Sequence, residues 1–168
     1  MSNNWFKVSI SFNHIDEKGN EKKTVEQHLF DAISYAEAEE RMYKKAEIMI
    51  HVIIHGEFKL ESVTKQKISD VFFFDQGEKW YKCKVSYIDI EDKTGKEKKV
   101  TSIMMIEADT VKQAYERMET SLNNMAVPFE ITAISESPIL EIFPYDAEER
   151  IQKLTEGLER KLSEQNTD

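Results

Sequence analysis

The chain has 168 residues, of which 40% are hydrophobic, 10% aromatic and 33% charged, too apolar a mixture for a disordered segment, which combines low hydrophobicity with high net charge. With 32 acidic against 23 basic side chains the formal net charge is -9, which opposes broad electrostatic capture of nucleic acid or anionic membrane.

From the amino terminus, Phe6, Val8, Ile10 and Phe12 alternate with Lys7, Ser9 and Ser11, the period of two that predicts a half-buried strand. The polar segment from Asp16 to Lys23 is centred on Gly19 and predicts a hairpin connection returning the chain as a strand from Thr24 to Phe30. Ser34 and Glu37 have the three-residue spacing of a capping box, so a helix begins there, with Ala38, Met42, Ala46 and Met49 as its inward stripe. Phe58 to Val63 and Ile68 to Phe74 read as two short strands or as one bulged strand.

The short linker Asp75-Gln-Gly-Glu-Lys79 leads to the same series again. Tyr81, Cys83, Val85 and Tyr87 alternate with Lys82, Lys84 and Ser86, and a turn around Gly95 precedes a strand from Val100 to Ile106. Thr110 and Gln113 repeat the cap, Ala114, Met118, Ser121 and Leu122 repeat the stripe, and Phe129 to Ile134 with Ile139 to Phe143 close the series. Pro138 favours a break between those last two segments.

The repetition is literal. Aligning Trp5 to Met42 with Trp80 to Met118, with Thr94 as the one inserted residue, gives 14 identities in 38 positions, among them Trp5/Trp80, Lys7/Lys82, Gly19/Gly95, Ala38/Ala114, Arg41/Arg117 and Met42/Met118. Self-similarity of this kind means one structural unit used twice. A lone unit of this size buries roughly 60% of its unfolded surface and a body of the full length about 70%. Fused halves are therefore expected, as one pseudo-symmetric domain over 1–168 with repeat 1 at 5–74, repeat 2 at 80–143 and a C-terminal helix at 146–164. Ile151, Leu154, Leu158 and Leu162 form a narrow stripe on that helix, able to dock on the protein's own sheet or on a partner. The fold class expected is α+β: tandem β-β-α-β(-β) units forming an antiparallel sheet, helices packed on one face, plus the C-terminal helix.

Trp5-Phe-Lys-Val and Trp80-Tyr-Lys-Cys, the hairpins, and Asp31-Ala-Ile-Ser-Tyr-Ala-Glu-Ala resemble an uncharacterised family of domain-of-unknown-function proteins found mainly in Bacteroidetes and their phages. The resemblance covers most of residues 5 to 143 and implies a bacterial or phage cytoplasmic origin. It supplies no activity and no functional residues, and the C-terminal helix has no place in its pattern.

No catalytic motif, cofactor fingerprint or metal signature emerges. The five glycines lack the spacing of a phosphate loop, no nucleophile elbow is present, and no cofactor is expected. His51 and His55, four apart, with His14, His28 and Glu57 would be a metal set only if they converged; the second repeat carries Asp89 and Met104 where the first has His14 and His28, so ordinary packing histidines are the expectation. Cys83, the only cysteine, aligns with Val8 as a small apolar strand residue. A reducing cytoplasmic setting without a membrane span or a secretion signal is expected.

Three functional readings follow. The first is a non-enzymatic interaction module for an unknown protein partner, presenting a sheet edge or the C-terminal helix. In the second, single-stranded nucleic acid stacks on Trp5 and Trp80 beside Lys7 and Lys82, its phosphates held by Lys22, Lys23, Lys96, Lys98 and Lys99. A metal-assisted enzyme using His51 and His55 is the third. The tryptophans separate the first two: exposed as a pair they mark a binding face, buried they mark the joint between halves.

Overall fold

The computed structural model describes residues 4–53, 58–145 and 159–165, and the side chains of 47–53 lie outside that description. In chain order the elements are β1 (Trp5–Ile15), β2 (Glu21–Asp31), α1 (Tyr35–Ile53), β3 (Phe58–Gln66), β4 (Asp70–Phe72), β5 (Lys79–Ile90), β6 (Glu97–Ala108), α2 (Val111–Ser121), β7 (Phe129–Ser137) and β8 (Ile139–Phe143).

Each hairpin turns on a glycine. Gly19 and Gly95 take φ of 80° and 65°, the left-handed region where a side chain is penalised. In the first turn the Asp16 carboxylate accepts the backbone N–H groups of Lys18 and Asn20 at 2.9 and 2.8 Å. These bonds, Asn20's foremost, hold its carboxyl below the usual range. The strands then pair in unbroken register from Trp5↔Asp31 to Ile15↔Glu21 and from Lys79↔Ala108 to Ile90↔Glu97.

Both predicted helix caps form. Ser34 Oγ accepts the Glu37 N–H at 3.2 Å and Thr110 Oγ1 the Gln113 N–H at 3.1 Å. The Gln113 side chain reaches back one residue further than a capping box does, accepting the Asp109 N–H at 2.7 Å. The inward stripes are as expected where they are described: Ala38, Met42 and Ala46 on α1, and Ala114, Met118 and Leu122 after it in the second half, are all buried.

The strands form two four-stranded sheets, ordered β3-β1-β2-β8 and β4-β6-β5-β7. Each sheet therefore ends in a strand from the other half. β3 and β4 belong to one stretch of chain that turns a corner between the sheets, as do β7 and β8 at Pro138; strands that switch sheets at a bend are a known way of building a sandwich corner. The exchange is reciprocal to the residue. Asp70, Val71 and Phe72 pair parallel with Met104, Met105 and Ile106, while Glu141, Ile142 and Phe143 pair parallel with His28, Leu29 and Phe30, and every residue in the second set occupies the repeat-equivalent position of one in the first.

The α+β class is as expected, but the pairing is not purely antiparallel and the helices do not share one face. The sheets are mixed, each with one parallel pair, because the last strand of each half leaves its own sheet and joins its neighbour's. Each helix covers its own sheet: Phe6, Val8, Ile10 and Phe30 pack with Ala38 and Met42, and Tyr81, Cys83, Val85 and Ile106 with Ala114 and Met118. A third cluster, Trp5, Leu29, Trp80, Met105, Ile139 and Ile142, joins the opposite faces of the two sheets. The layering is helix, sheet, sheet, helix within an α+β fold.

The kept arginines have a folding explanation. Arg117 donates to the carbonyls of Glu107 at 2.9 Å and Gln76 at 3.0 Å and lies 4.6 Å from the ring centre of Phe74. Arg41 donates to the carbonyls of Asp31 and Pro144 and lies 4.6 Å from the ring centre of Tyr145. Each guanidinium thus ties the end of a second strand to the chain leaving the last strand. Beside Arg117 the linker passes so close to β6 that a Cβ on Gly77 would sit 2.9 Å from the Ala108 backbone nitrogen.

Of the expected C-terminal helix, residues 146–158 lie outside the described part. Residues 159–165 are helical and exposed, with Leu162 59% accessible.

Candidate functional site

The alternation along β1 and β5 assigns two faces. Phe6, Val8 and Ile10 look toward α1, so Trp5, Lys7, Ser9 and Ser11 look toward the other sheet, and Trp80, Lys82, Lys84 and Ser86 do the same from β5. The tryptophans are 3% and 5% exposed. They form the joint between the halves, with the Phe73 ring edge-on to Trp80 at 5.2 Å between centroids, and neither offers a ring face for a base to stack on. Their burial is the outcome that marks the joint between halves: the second sheet covers the Trp end of this face, while Lys82 and Lys84 on β5 stay exposed.

The lysines two positions on behave differently. A side chain of four methylenes can run along an apolar wall and keep its ammonium at the opening. Lys7 and Lys82 line a partly enclosed cleft of about 370 Å³ between the two sheets. Its other lining residues are Gln27, Leu29, Gln66, Lys67 and Ile68 from the first half and Ile103, Met105, Ser137, Pro138 and Ile139 from the second. These twelve residues are six repeat-equivalent pairs: Lys7/Lys82, Gln27/Ile103, Leu29/Met105, Gln66/Ser137, Lys67/Pro138 and Ile68/Ile139. Both halves therefore contribute the same six positions to the cleft.

Its electrostatics run against those of the whole chain. Three lysines line it and no carboxylate does, in a protein of net charge -9. None of Lys7, Lys67 and Lys82 forms an ion pair with a described carboxylate, whereas lysines elsewhere do: Lys22 with Asp16 at 3.3 Å, Lys23 with Glu61 at 3.6 Å, Lys79 with Glu136 at 3.5 Å. The side-chain oxygen of Gln27 is buried without a hydrogen-bond partner among the described residues.

The structure brings together Lys7 and Lys82 from the sequence-predicted set and buries Trp5 and Trp80 in the apolar cluster beside them. It does not bring in Lys22, Lys23, Lys98 and Lys99. Lys23 pairs across from Asn13 and Lys98 across from Asp89, six or seven residues along the strands from Lys7 and Lys82, or about 20 Å. Sequence reasoning missed Gln27, Gln66, Lys67 and Ser137. A signal for the last three was present, since Gln66-Lys67-Ile68 and Ser137-Pro138-Ile139 occupy the same place in the two copies.

Residues 4–145 match the model of a family described as "Domain of unknown function (DUF4494)". The chain belongs to that family. No curated protein and no solved structure matches it. The match spans both sheets and all twelve residues of the cleft of this DUF4494 chain, and stops at Tyr145, the ring under Arg41.

The remaining chemical candidates do not converge. His14 Nδ1 is 2.9 Å from Thr24 Oγ1 on the exposed end of the first hairpin. His28 is fully buried between β2 and β8, its Nε2 3.2 Å from Glu26 Oε2. The side chain of His51, with His55 and Glu57, lies outside the described residues, and no group of three His, Cys, Asp or Glu among the described ones is placed to hold a metal. Cys83 is buried, and desolvation pushes its thiol up to about 11; a thiol in that state supplies little of the thiolate that a nucleophile needs. No helix among the described residues is long and apolar enough to cross a membrane.

Proposed function

We propose that this DUF4494 protein is a non-enzymatic binding module whose site is the cleft between its two sheets. One observation carries the proposal: six positions of the repeated unit, contributed twice, close around one partly enclosed space lined by Lys7, Lys67 and Lys82 with no carboxylate among them. Lys7 is half-buried and Lys67 and Lys82 are exposed, so their ammoniums stand at the opening in water, where a bound anion can take the place of solvent. A concave, mostly apolar space with a few convergent polar groups is the usual form of a small-molecule site. The lining chains are lysines, amides, one hydroxyl and aliphatics, with no acid–base pair or activated nucleophile, which favours binding over turnover.

A protein partner, the sequence-based expectation, would use a sheet edge or the C-terminal helix. The outer edge along β3 carries Lys59, Glu61 and Lys65, charges of the kind that discourage strand addition, so the cleft is the better-supported site. A fragment screen on the isotope-labelled full chain, read by amide chemical shifts, tests the reading. Shifts are expected to concentrate at residues 7, 27, 29, 66–68, 82, 103, 105, 137 and 139. Concentration at the groove between α2 and β7, or no localised shifts at all, overturns it.

A further inference from the structure

The cleft is symmetric in backbone and asymmetric in chemistry. Where the first half contributes Gln27, Gln66 and Lys67, the second contributes Ile103, Ser137 and Pro138. The first sheet's wall carries Lys7, Gln27 and Gln66 beside Leu29 and Ile139, and the second sheet's wall carries Lys82 and Ser137 beside Ile103 and Met105, so the amides are confined to the first wall. A twofold-symmetric ligand would leave half its groups opposite the wrong wall. From this asymmetry we infer that the cleft takes a small amphipathic anion, its carboxylate or phosphate head against Lys7, Lys67, Gln27 and Gln66 and its apolar body over Ile103 and Met105.

The inference rests on the binding reading above and deepens it. Charge chooses the head, because an ammonium at a partly enclosed apolar opening interacts more strongly with an anion than it does in bulk water. Burial chooses the body, since each methylene removed from water contributes about 0.8 kcal/mol. Size bounds the ligand: a cleft of about 370 Å³ lies near the lower end of the range for small-molecule pockets, roughly 300–1,000 Å³, so a short-chain or single-ring body fits and a long lipid tail does not.

The test is an NMR titration of the full chain with hexanoate, hexyl phosphate, 1-hexanol, hexylammonium and inorganic phosphate, all at one ionic strength. Hexanoate or hexyl phosphate should shift the cleft amides at concentrations at least tenfold below those needed for hexanol or hexylammonium. Which of the two anions leads distinguishes a carboxylate from a phosphate head. Lys7→Gln and Lys67→Gln should each weaken the better anion about tenfold or more, the loss expected for one charge-assisted contact, with Lys82→Gln weakening it less. An unchanged amide spectrum away from the cleft shows that the variants fold.

If hexanol matches the anions, the ligand class is wrong and the binding reading survives. If inorganic phosphate matches hexyl phosphate, the apolar body is wrong. A larger loss in Lys82→Gln than in Lys67→Gln overturns the orientation. If none of the five probes shifts a cleft residue while fragments do, the amphipathic anion falls alone; if fragments fail as well, the binding reading falls with it.

Discussion

The first and second halves of the chain share a backbone plan down to the register of their exchanged strands, yet differ in chemistry at a few equivalent places. Where they agree in sequence, the agreement is mechanical: Trp5 and Trp80 fill the joint, Arg41 and Arg117 tie strand ends together, and Ala38 with Met42 and Ala114 with Met118 seat the helices. Among their disagreements, two lie in the cleft wall, Gln27 against Ile103 and Lys67 against Pro138, and two in the cores, Val8 against Cys83 and His28 against Met104. The comparison teaches that repetition explains the architecture and that any function specific to this chain belongs to the departures from it. Exchanging residues between equivalent positions is then the natural way to probe it.

The largest effect should come from the shared joint. Truncating Trp5 or Trp80 to Ala leaves a cavity in the cluster that joins the two sheets, at about 3–5 kcal/mol each. Because each half's last strand lies in the other's sheet, urea unfolding should remain a single transition in both variants, with similar losses. Two separated transitions would mean that the halves are independent bodies. Swapping Cys83 for the Val8 side chain probes the core next. The wild-type thiol, pushed up to about 11 by burial, stays neutral in the folded state while the unfolded thiol ionises near its ordinary value. The extra stability of the buried thiol is thus complete below the unfolded pKa, declines as pH rises through the interval, and is gone above the folded pKa. At about 1.4 kcal/mol per unit, wild type should lose up to about 3 kcal/mol relative to Cys83→Val between pH 9 and pH 11, and parallel stability–pH curves would show that Cys83 is not desolvated as described.

The arginine ties come third. Removing Arg117 strands the carbonyls of Glu107 and Gln76 and should cost about 2 kcal/mol. Lysine should not restore it, because a point-like ammonium cannot bridge two carbonyls and lie over Phe74 at once. Arg41→Ala should cost at least as much, since Arg41 is 8% exposed and more deeply enclosed than its counterpart. Equal rescue by lysine in either half would reduce the tie to a charge effect.

How much of this was legible depended on whether the cause was local. The faces of β1 and β5, the glycine hairpins, both helix caps and the Ala-Met stripes follow from contacts within a few residues, and all were readable. The destination of β4 and β8 was not. Three residues, Asp70 to Phe72, carry too little pattern to name a partner strand, and parallel pairing across the halves is decided by the corner at Lys67 and its counterpart at Pro138. The tryptophans stood open between an exposed pair and a buried joint for a related reason. Trp5-Phe6-Lys7-Val8 shows which residues share a face, and only the second sheet determines that the Trp-Lys face is covered. The cleft was half legible: Lys7 and Lys82 stood out as duplicated and unexplained, while Gln27, Gln66 and Lys67 reach it from elements whose spatial neighbours no local pattern reveals.

The smallest expected effect is also the one that best separates packing from function. His28 is fully buried beside Phe143, with its Nε2 on Glu26 and its Nδ1 buried without a partner among the described residues. A buried polar atom left unmatched costs on the order of 1 kcal/mol or more. The second half places Met104 at the equivalent position, against the same kind of parallel strand. Methionine is flexible and close to histidine in bulk, so it fills such a site without strain. His28→Met should therefore raise stability by about 1 kcal/mol, read as a higher urea midpoint with an unchanged slope. It should leave the cleft untouched, because His28 faces α1 and Gln27 and Leu29 on either side face the cleft. A loss of stability would mean that the Glu26–His28 contact is worth more than the stranded nitrogen costs, and that this departure from the repeat serves the first half's own packing.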